Sequence, residues 1–206
     1  ERLKRFSKNF MKRSTNLVII SGPSGAGKDS VIEGMVDQGI PIQRVITSTT
    51  RQIREGETHG REYYFVSEEE MTNMIRNDEM AEHARVFGRI NGVTKKEVDR
   101  VRDLKDKIGI WRVDEQGAIA LKNKYPDILT IAISAPPDEL MSRVQKRGDT
   151  AESISQRMQS KKEWTGSSNT FEFTVQNKQN KLDNAVAEVI SILEKEGMID
   201  KTNENS

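Results

Sequence analysis

Apolar residues fall along the chain in short dense runs, separated by longer stretches with helical spacing. "LVIIS" (Leu17 to Ser21) is rich in β-branched residues, carries no alternating polar position and is closed by Gly22 and Pro23. Such a run predicts a strand buried on both faces of a parallel sheet. "RVITST" from Arg44, "IGIWRV" from Ile108, "LTIAIS" from Leu129 and "FEFTV" from Phe171 read the same way. Helical spacing centres on residues 117–125, 138–146 and 181–196, and "DSVIEGMV" opens a further helix directly after a glycine-rich turn. This alternation predicts the α/β class, with a three-layer sandwich around a mainly parallel central sheet.

Two segments break the rhythm. In residues 50–101 the short strands "REYYFV" and "AEHARVFG" enclose a helix starting at Ser67. Ser67 with Glu70, and Thr94 with Glu97, have the spacing of capping boxes that fix two helix starts. This segment reads as an inserted lobe. Residues 138–168 are helical in pattern, rich in Arg and Lys, and contain Gly148 as a helix stop, a composition suited to a mobile lid. The expected organisation is a basic extension (1–16), a core (17–49, 102–137 and 169–197), a lobe (50–101), a lid (138–168) and a disordered polar tail (201–206).

Composition then narrows the partners. Lys and Arg number 33 against 32 Asp and Glu, a net charge of +1, so nothing in bulk charge calls for nucleic acid or an anionic membrane. Any anion site must be local. The absence of cysteine excludes disulfides, thiolate metal sites and a thiol nucleophile, and fits a reducing compartment. No apolar run approaches the roughly 20 residues that span a bilayer, and "ERLKRFSKNFMKRSTN" lacks the apolar centre of a signal peptide. The expectation is a soluble cytoplasmic protein, monomer or homodimer, with no nucleic-acid or membrane partner and a frayed N-terminal extension.

The strongest local signal is "GPSGAGKDS". Gly22, Gly27 and Lys28 fill G-x-x-x-x-G-K between an apolar strand and a helix, the setting a phosphate loop requires. Glycines let backbone N–H groups turn inward around phosphate oxygens, and the helix N-terminus adds positive potential. Gly22, Pro23, Ser24, Gly25, Ala26, Gly27, Lys28, Asp29 and Ser30 are therefore expected to wrap the phosphates of a nucleotide, with Lys28 along the β- and γ-phosphates. Position 29 ordinarily carries a Ser or Thr that ligates Mg²⁺. Here it is Asp29, which either binds Mg²⁺ itself or pairs with a cation and leaves the metal to Ser30 or water. Downstream, Arg51 and Arg54, three residues apart and close to Tyr63, form a candidate forked clamp for a second phosphate.

Taken together, "GPSGAGK", "TTRQIREGETHGREYYF", "AEHARVFG", "VDEQGA" and "KRGDT" resemble the guanylate kinase family in order and spacing, from about Leu17 to Ile192. The resemblance implies a P-loop NTPase fold with a GMP-binding lobe and a helical lid, and Mg²⁺-assisted transfer of a phosphoryl group from ATP to GMP. It assigns Arg51, Arg54 and Tyr63 to the GMP phosphate, Thr47, Glu82 and Asp114 to guanine, and Arg143 and Arg147 to the transferred phosphoryl group, with Arg157 from the following helix as a third candidate. The guanine assignment is chemically coherent, since carboxylates accept from N1–H and N2–H₂ and a hydroxyl donates to O6.

The chain also departs from the family. Arg112 replaces the first acid of D-x-D-x-Q-G, Asn91 stands at a tyrosine position that helps hold the GMP phosphate, and Val93 at a hydroxyl position used for the base. An exchange in which the acid moved to Asp29 and Arg112 became its partner or a phosphate ligand would conserve charge. Rival readings are a related kinase for another phosphorylated acceptor, such as ribose 1,5-bisphosphate, and a non-catalytic binding module.

Overall fold

A computed structural model describes residues 13–86, 88–145 and 170–200. Strands β1 (Leu17–Ser21), β2 (Ile42–Arg44), β7 (Ile108–Arg112), β8 (Leu129–Ser134) and β9 (Phe173–Gln176) form one sheet in the order β2-β7-β1-β8-β9. Every pairing in it is parallel. The absence of alternation in "LVIIS" has a simple cause. Val18 and Ile20 face a core shared with α1 (Lys28–Asp37) and α6 (Leu182–Lys195), while Leu17 and Ile19 face a second core with Trp111, α3 (Lys95–Arg102) and α4 (Glu115–Lys124). Helices thus cover both faces, as an all-parallel sheet requires. The remaining described helices are α2 (Glu68–Arg76) and α5 (Pro137–Gln145). No helix among the described residues is long and apolar enough to cross a membrane.

A second sheet has the order β4-β3-β6-β5, from β4 (Tyr64–Phe65), β3 (Ser48–Thr49), β6 (Arg89–Thr94) and β5 (Met80–Val86). It corrects the reading of "RVITST" as one strand. Val45 donates its N–H to Ile110 at 2.9 Å and still belongs to the first sheet, whereas Ser48 and Thr49 pair with Gly92 and Asn91 in the second. The chain changes sheets inside one β-branched run, and the second sheet begins before residue 50. Strand structure in "REYYFV" is confined to Tyr64 and Phe65.

The two capping signals also differ in outcome. Ser67 and Glu70 make the full reciprocal box at the start of α2. Thr94 accepts from the Glu97 N–H at 3.1 Å, but the Glu97 carboxylate does not return the bond. It is buried and instead accepts from the Ile46 N–H at 2.8 Å, the Tyr64 hydroxyl at 3.2 Å, and Nε and Nη2 of Arg100 at 2.7 and 2.8 Å. One carboxylate thereby pins the sheet-to-sheet crossing, β4 and α3 together.

Candidate functional site

The C-terminal edge of an open parallel sheet is where such folds receive ligands, and the glycine-rich loop lies there, between β1 and α1. Gly22, Gly25 and Gly27 have φ of 142°, 85° and 80°. At Gly22 the requirement is also spatial, because a Cβ there would overlap the carbonyl oxygen of Ile133 in β8. The loop is held from outside as well. Asn177 Nδ2 donates to the Ala26 carbonyl at 2.8 Å, while Arg143 donates from Nη1 to Gly25 O at 3.4 Å and from Nη2 to Glu139 and to Asn177 O. Lys28 curls back over the loop, with Nζ 2.7 Å from Gly22 O and 3.1 Å from Pro23 O. Gly27 caps α1 without a side-chain hydrogen bond, so the first-turn N–H groups have no capping side chain. A phosphate is the natural partner for donors so arranged.

Asp29, in the first turn of α1, faces two arginines. Its Oδ2 accepts from Nη1 of Arg112 at 3.1 Å, and its Oδ1 from Nη1 of Arg44 at 3.3 Å. Both carboxylate oxygens are engaged. Among the described residues no group of three or more His, Asp or Glu side chains converges as a metal site. A metal on Asp29 would have to share the carboxylate with two guanidiniums.

The second sheet carries the acceptor motif. Arg51 makes a bidentate pair with Glu57, Nη1 to Oε2 at 2.9 Å and Nη2 to Oε1 at 2.6 Å. Its guanidinium also lies 5.3 Å from the ring centre of Tyr63 and 5.4 Å from that of Phe65. The Arg51 side chain, followed by the backbone N–H of Arg54, holds the Glu57 carboxyl below the usual carboxylate range. The Arg54 side chain is exposed, and the Tyr63 hydroxyl makes no hydrogen bond among the described residues. Thr49 Oγ1 donates to Asn91 Oδ1 at 2.7 Å, so Asn91 is tied into the β3–β6 pairing. Val93 packs in the core beside Trp111, away from any polar role, and Thr94 serves as the cap of α3.

Glu82 and Asp114 come from different segments. A register shift between Met80 and Glu82 marks a bulge in β5, a device that re-aims side chains. Asp114 caps α4, its Oδ1 accepting from Gly117 N–H at 2.8 Å. Lys124 at the far end of α4 donates to Ala81 O at 2.9 Å and fastens the helix to β5. Burial first, and then the Asp114 charge, push the Glu82 carboxyl up to about 7. The Asp114 charge is thus close enough to be felt by the Glu82 carboxyl, and the two acids are candidates to accept from hydrogen-bond donors. Thr47 contributes its carbonyl to Tyr64 N–H at 3.0 Å, at the crossing between the sheets.

Arg147 and Arg157 lie outside the described residues, as do most of the segment read as a lid, the N-terminal extension up to Lys12 and the tail. Sequence reasoning missed Arg44, Asn177 and Glu57, and read Glu97 only as a capping-box partner. Glu57 had a local signal, a carboxylate three residues after Arg54, whereas Arg44 and Asn177 act through contacts distant in sequence.

A glycine-rich loop between a buried parallel strand and a helix, with a second sheet presenting arginines and acids, defines a P-loop α/β protein with an added second sheet. Comparison with known proteins specifies the family. The guanylate kinase family model matches residues 14–196, and the chain belongs to that family. It is 34% identical over 185 residues to a guanylate kinase of Caldanaerobacter subterraneus, covering 89% of this chain and 88% of that one. It is 35% identical over 192 residues to the guanylate kinase of Clostridium perfringens, covering 92% and 88%. Guanylate kinase 2, chloroplastic/mitochondrial, of Oryza sativa is 33% identical over 183 residues, covering 87% of this chain but only 64% of the rice protein. The crystal structure of guanylate kinase from Anaplasma phagocytophilum superposes with a TM-score of 0.65 at 22% identity, over 93% of this chain and 91% of that one, a likeness of fold.

Proposed function

We propose that the chain transfers the γ-phosphoryl group of ATP to GMP or dGMP, giving ADP and GDP or dGDP. The observation that supports the reading is the Glu82–Asp114 pair, one acid from β5 of the second sheet and one from the start of α4, in a fold that also has a phosphate loop and a pair of arginines suited to a second phosphate. Guanine presents N–H donors on the edge that two acids can accept. Adenine lacks them there and would leave a half-buried carboxylate unsatisfied, so discrimination follows from the pair itself.

In this reading Gly22–Ser30 hold the ATP phosphates, with Lys28 swinging from the loop carbonyls to the β- and γ-oxygens. Arg51, Arg54 and Tyr63 hold the GMP phosphate, with Arg51 already oriented by Glu57. Thr47 faces guanine O6. Arg143 stands at the Gly25 carbonyl, and with Arg147 and Arg157 it supplies charge to the phosphoryl group in flight. Such transfer asks for little covalent chemistry from the protein; alignment and charge stabilisation carry the rate. Magnesium arrives complexed with ATP, and no described side chain is assigned to it.

Protonation of Glu82 gives the reading a pH signature. The carboxylate, not the acid, accepts from both guanine donors, so GMP binding draws on the ionised form. With the free-protein value near 7, affinity should rise about five- to tenfold from pH 6 to pH 8 through this group. Glu82→Gln should remove that component and leave only the titration of the GMP phosphate, whose second ionisation lies near 6. Because the folded-state value is raised above the unfolded one, the stability linked to Glu82 is complete below about 4.5 and is lost as pH rises through about 7. Calorimetric titration of GMP across this range, with thermal melts of the variant at pH 8, checks both signs. A GMP affinity profile unchanged by Glu82→Gln contradicts the assignment.

A further inference from the structure

We propose that Arg44 and Arg112, anchored by Asp29, form a guanidinium subsite for the β- and γ-phosphates of the donor nucleotide. Fixed protein charge then stands beside the phosphate loop where a protein-held divalent cation would otherwise stand. The proposal rests on the reading of Gly22–Ser30 as the donor loop, and extends it to residues on two other strands.

Placement comes first. Arg112 ends β7 and pairs in register with Ile20, two residues before the loop opens at Gly22. Arg44 ends β2, opposite Ile110 of the same neighbouring strand. Asp29 follows the loop lysine. In P-loop folds the residue after that lysine and an acid on a neighbouring strand ordinarily converge on the metal of the nucleotide. In this chain those two places hold an anion and a cation 3.1 Å apart, with Arg44 completing the cluster at 3.3 Å.

Energetics separate this cluster from a folding staple. The side chains of Arg44, Arg112 and Asp29 are 46%, 43% and 43% exposed, and ion pairs so open to water contribute at most about 1 kcal/mol to stability. Their geometry is nonetheless constrained, because two planar groups meet one carboxylate, each through a single Nη1. A guanidinium has five N–H donors, so most of the fork on Arg112 remains available to phosphate oxygens. Glu33 approaches Arg44 only at 3.7 Å and is 69% exposed. Within the cluster itself, two guanidiniums face one carboxylate. Asp29 acts as a positioning residue: it cancels repulsion between the two arginines and fixes the direction in which they point.

The test is the equilibrium affinity of ATP, measured by calorimetry on the full chain in EDTA and again in excess Mg²⁺. The wild-type protein should bind metal-free ATP within about tenfold of its affinity for the magnesium complex. Arg112→Ala should weaken metal-free ATP by about 10- to 100-fold, weaken the magnesium complex several-fold less, and leave AMP, which has no β- or γ-phosphate, unchanged. Arg112→Lys should recover part of the loss as a point charge without a fork. Asp29→Asn should also weaken metal-free ATP while its melting midpoint stays within a few degrees of wild type. Equal losses with and without magnesium, or no loss in EDTA, overturn the subsite and leave the donor-loop reading standing. Failure of the wild-type chain to bind ATP in either condition overturns both.

Discussion

Replacing Arg51 by alanine is expected to raise the KM for GMP by roughly 10²- to 10³-fold. Arg51 is the acceptor-side cation held most firmly, with two bonds to Glu57, one from Nη1 to the Gln52 carbonyl at 2.8 Å and two aromatic rings beneath it. Its orientation is set before any ligand arrives, so little conformational entropy is lost when phosphate binds. Removing it also leaves Glu57 as an uncompensated carboxylate facing the incoming phosphate. The loss should therefore exceed that of Arg54→Ala, whose side chain is exposed. Steady-state kinetics with GMP varied at saturating ATP separates the two. Comparable, small effects of both variants would remove Arg51 from the acceptor site.

Lys28→Met should lower kcat by about 10²- to 10³-fold, the scale found when one donor to a developing negative charge is deleted. The ammonium donates to the carbonyls of Gly22 and Pro23, which keeps it over the cradle. Loop shape is held independently by Asn177 on Ala26 and Arg143 on Gly25, so the variant should fold and retain ATP affinity to within about tenfold. A rate defect without a binding defect of similar size marks an interaction made chiefly in the transition state. Loss of ATP binding with kcat unchanged would assign Lys28 to ground-state binding instead.

The elements that the sequence predicted best are those whose side chains are buried on both faces. "LVIIS", "IGIWRV" and "LTIAIS" became β1, β7 and β8 because a strand between two helical layers has no polar face to blur its pattern. "RVITST" failed for the opposite reason. Val45, Ser48 and Thr49 are all buried although their strand partners differ, and periodicity does not register a change of partner. The Thr94–Glu97 spacing yielded a cap but not a box, because the Glu97 carboxylate is taken by Ile46 and Tyr64 from outside its helix and by Arg100 one turn along it.

The site was legible where chemistry is local. A phosphate loop is a contiguous backbone device, and its glycines carry positive φ at Gly22, Gly25 and Gly27. The departure of position 29 from Ser or Thr pointed to Arg112, and the two side chains meet at 3.1 Å. Arg44, which completes that cluster, had no sequence signal, since it sits in an ordinary strand and reaches Asp29 only through the order of the sheet. Val93 and Asn91 looked like losses at the acceptor site. The first fills the core beside Trp111, and the second closes the β3–β6 pairing through Thr49. Neither leaves a gap in the acid pair that is proposed to read the base.

The account is tested most directly by coupled measurement of ADP release with ATP and magnesium against GMP, dGMP, AMP, UMP and ribose 1,5-bisphosphate. It predicts turnover with GMP and dGMP, and kcat/KM lower by about 10²-fold or more for AMP and UMP, which leave the Glu82–Asp114 pair without its donors. Turnover of ribose 1,5-bisphosphate above GMP, or binding of ATP with turnover of none of the five, would contradict it.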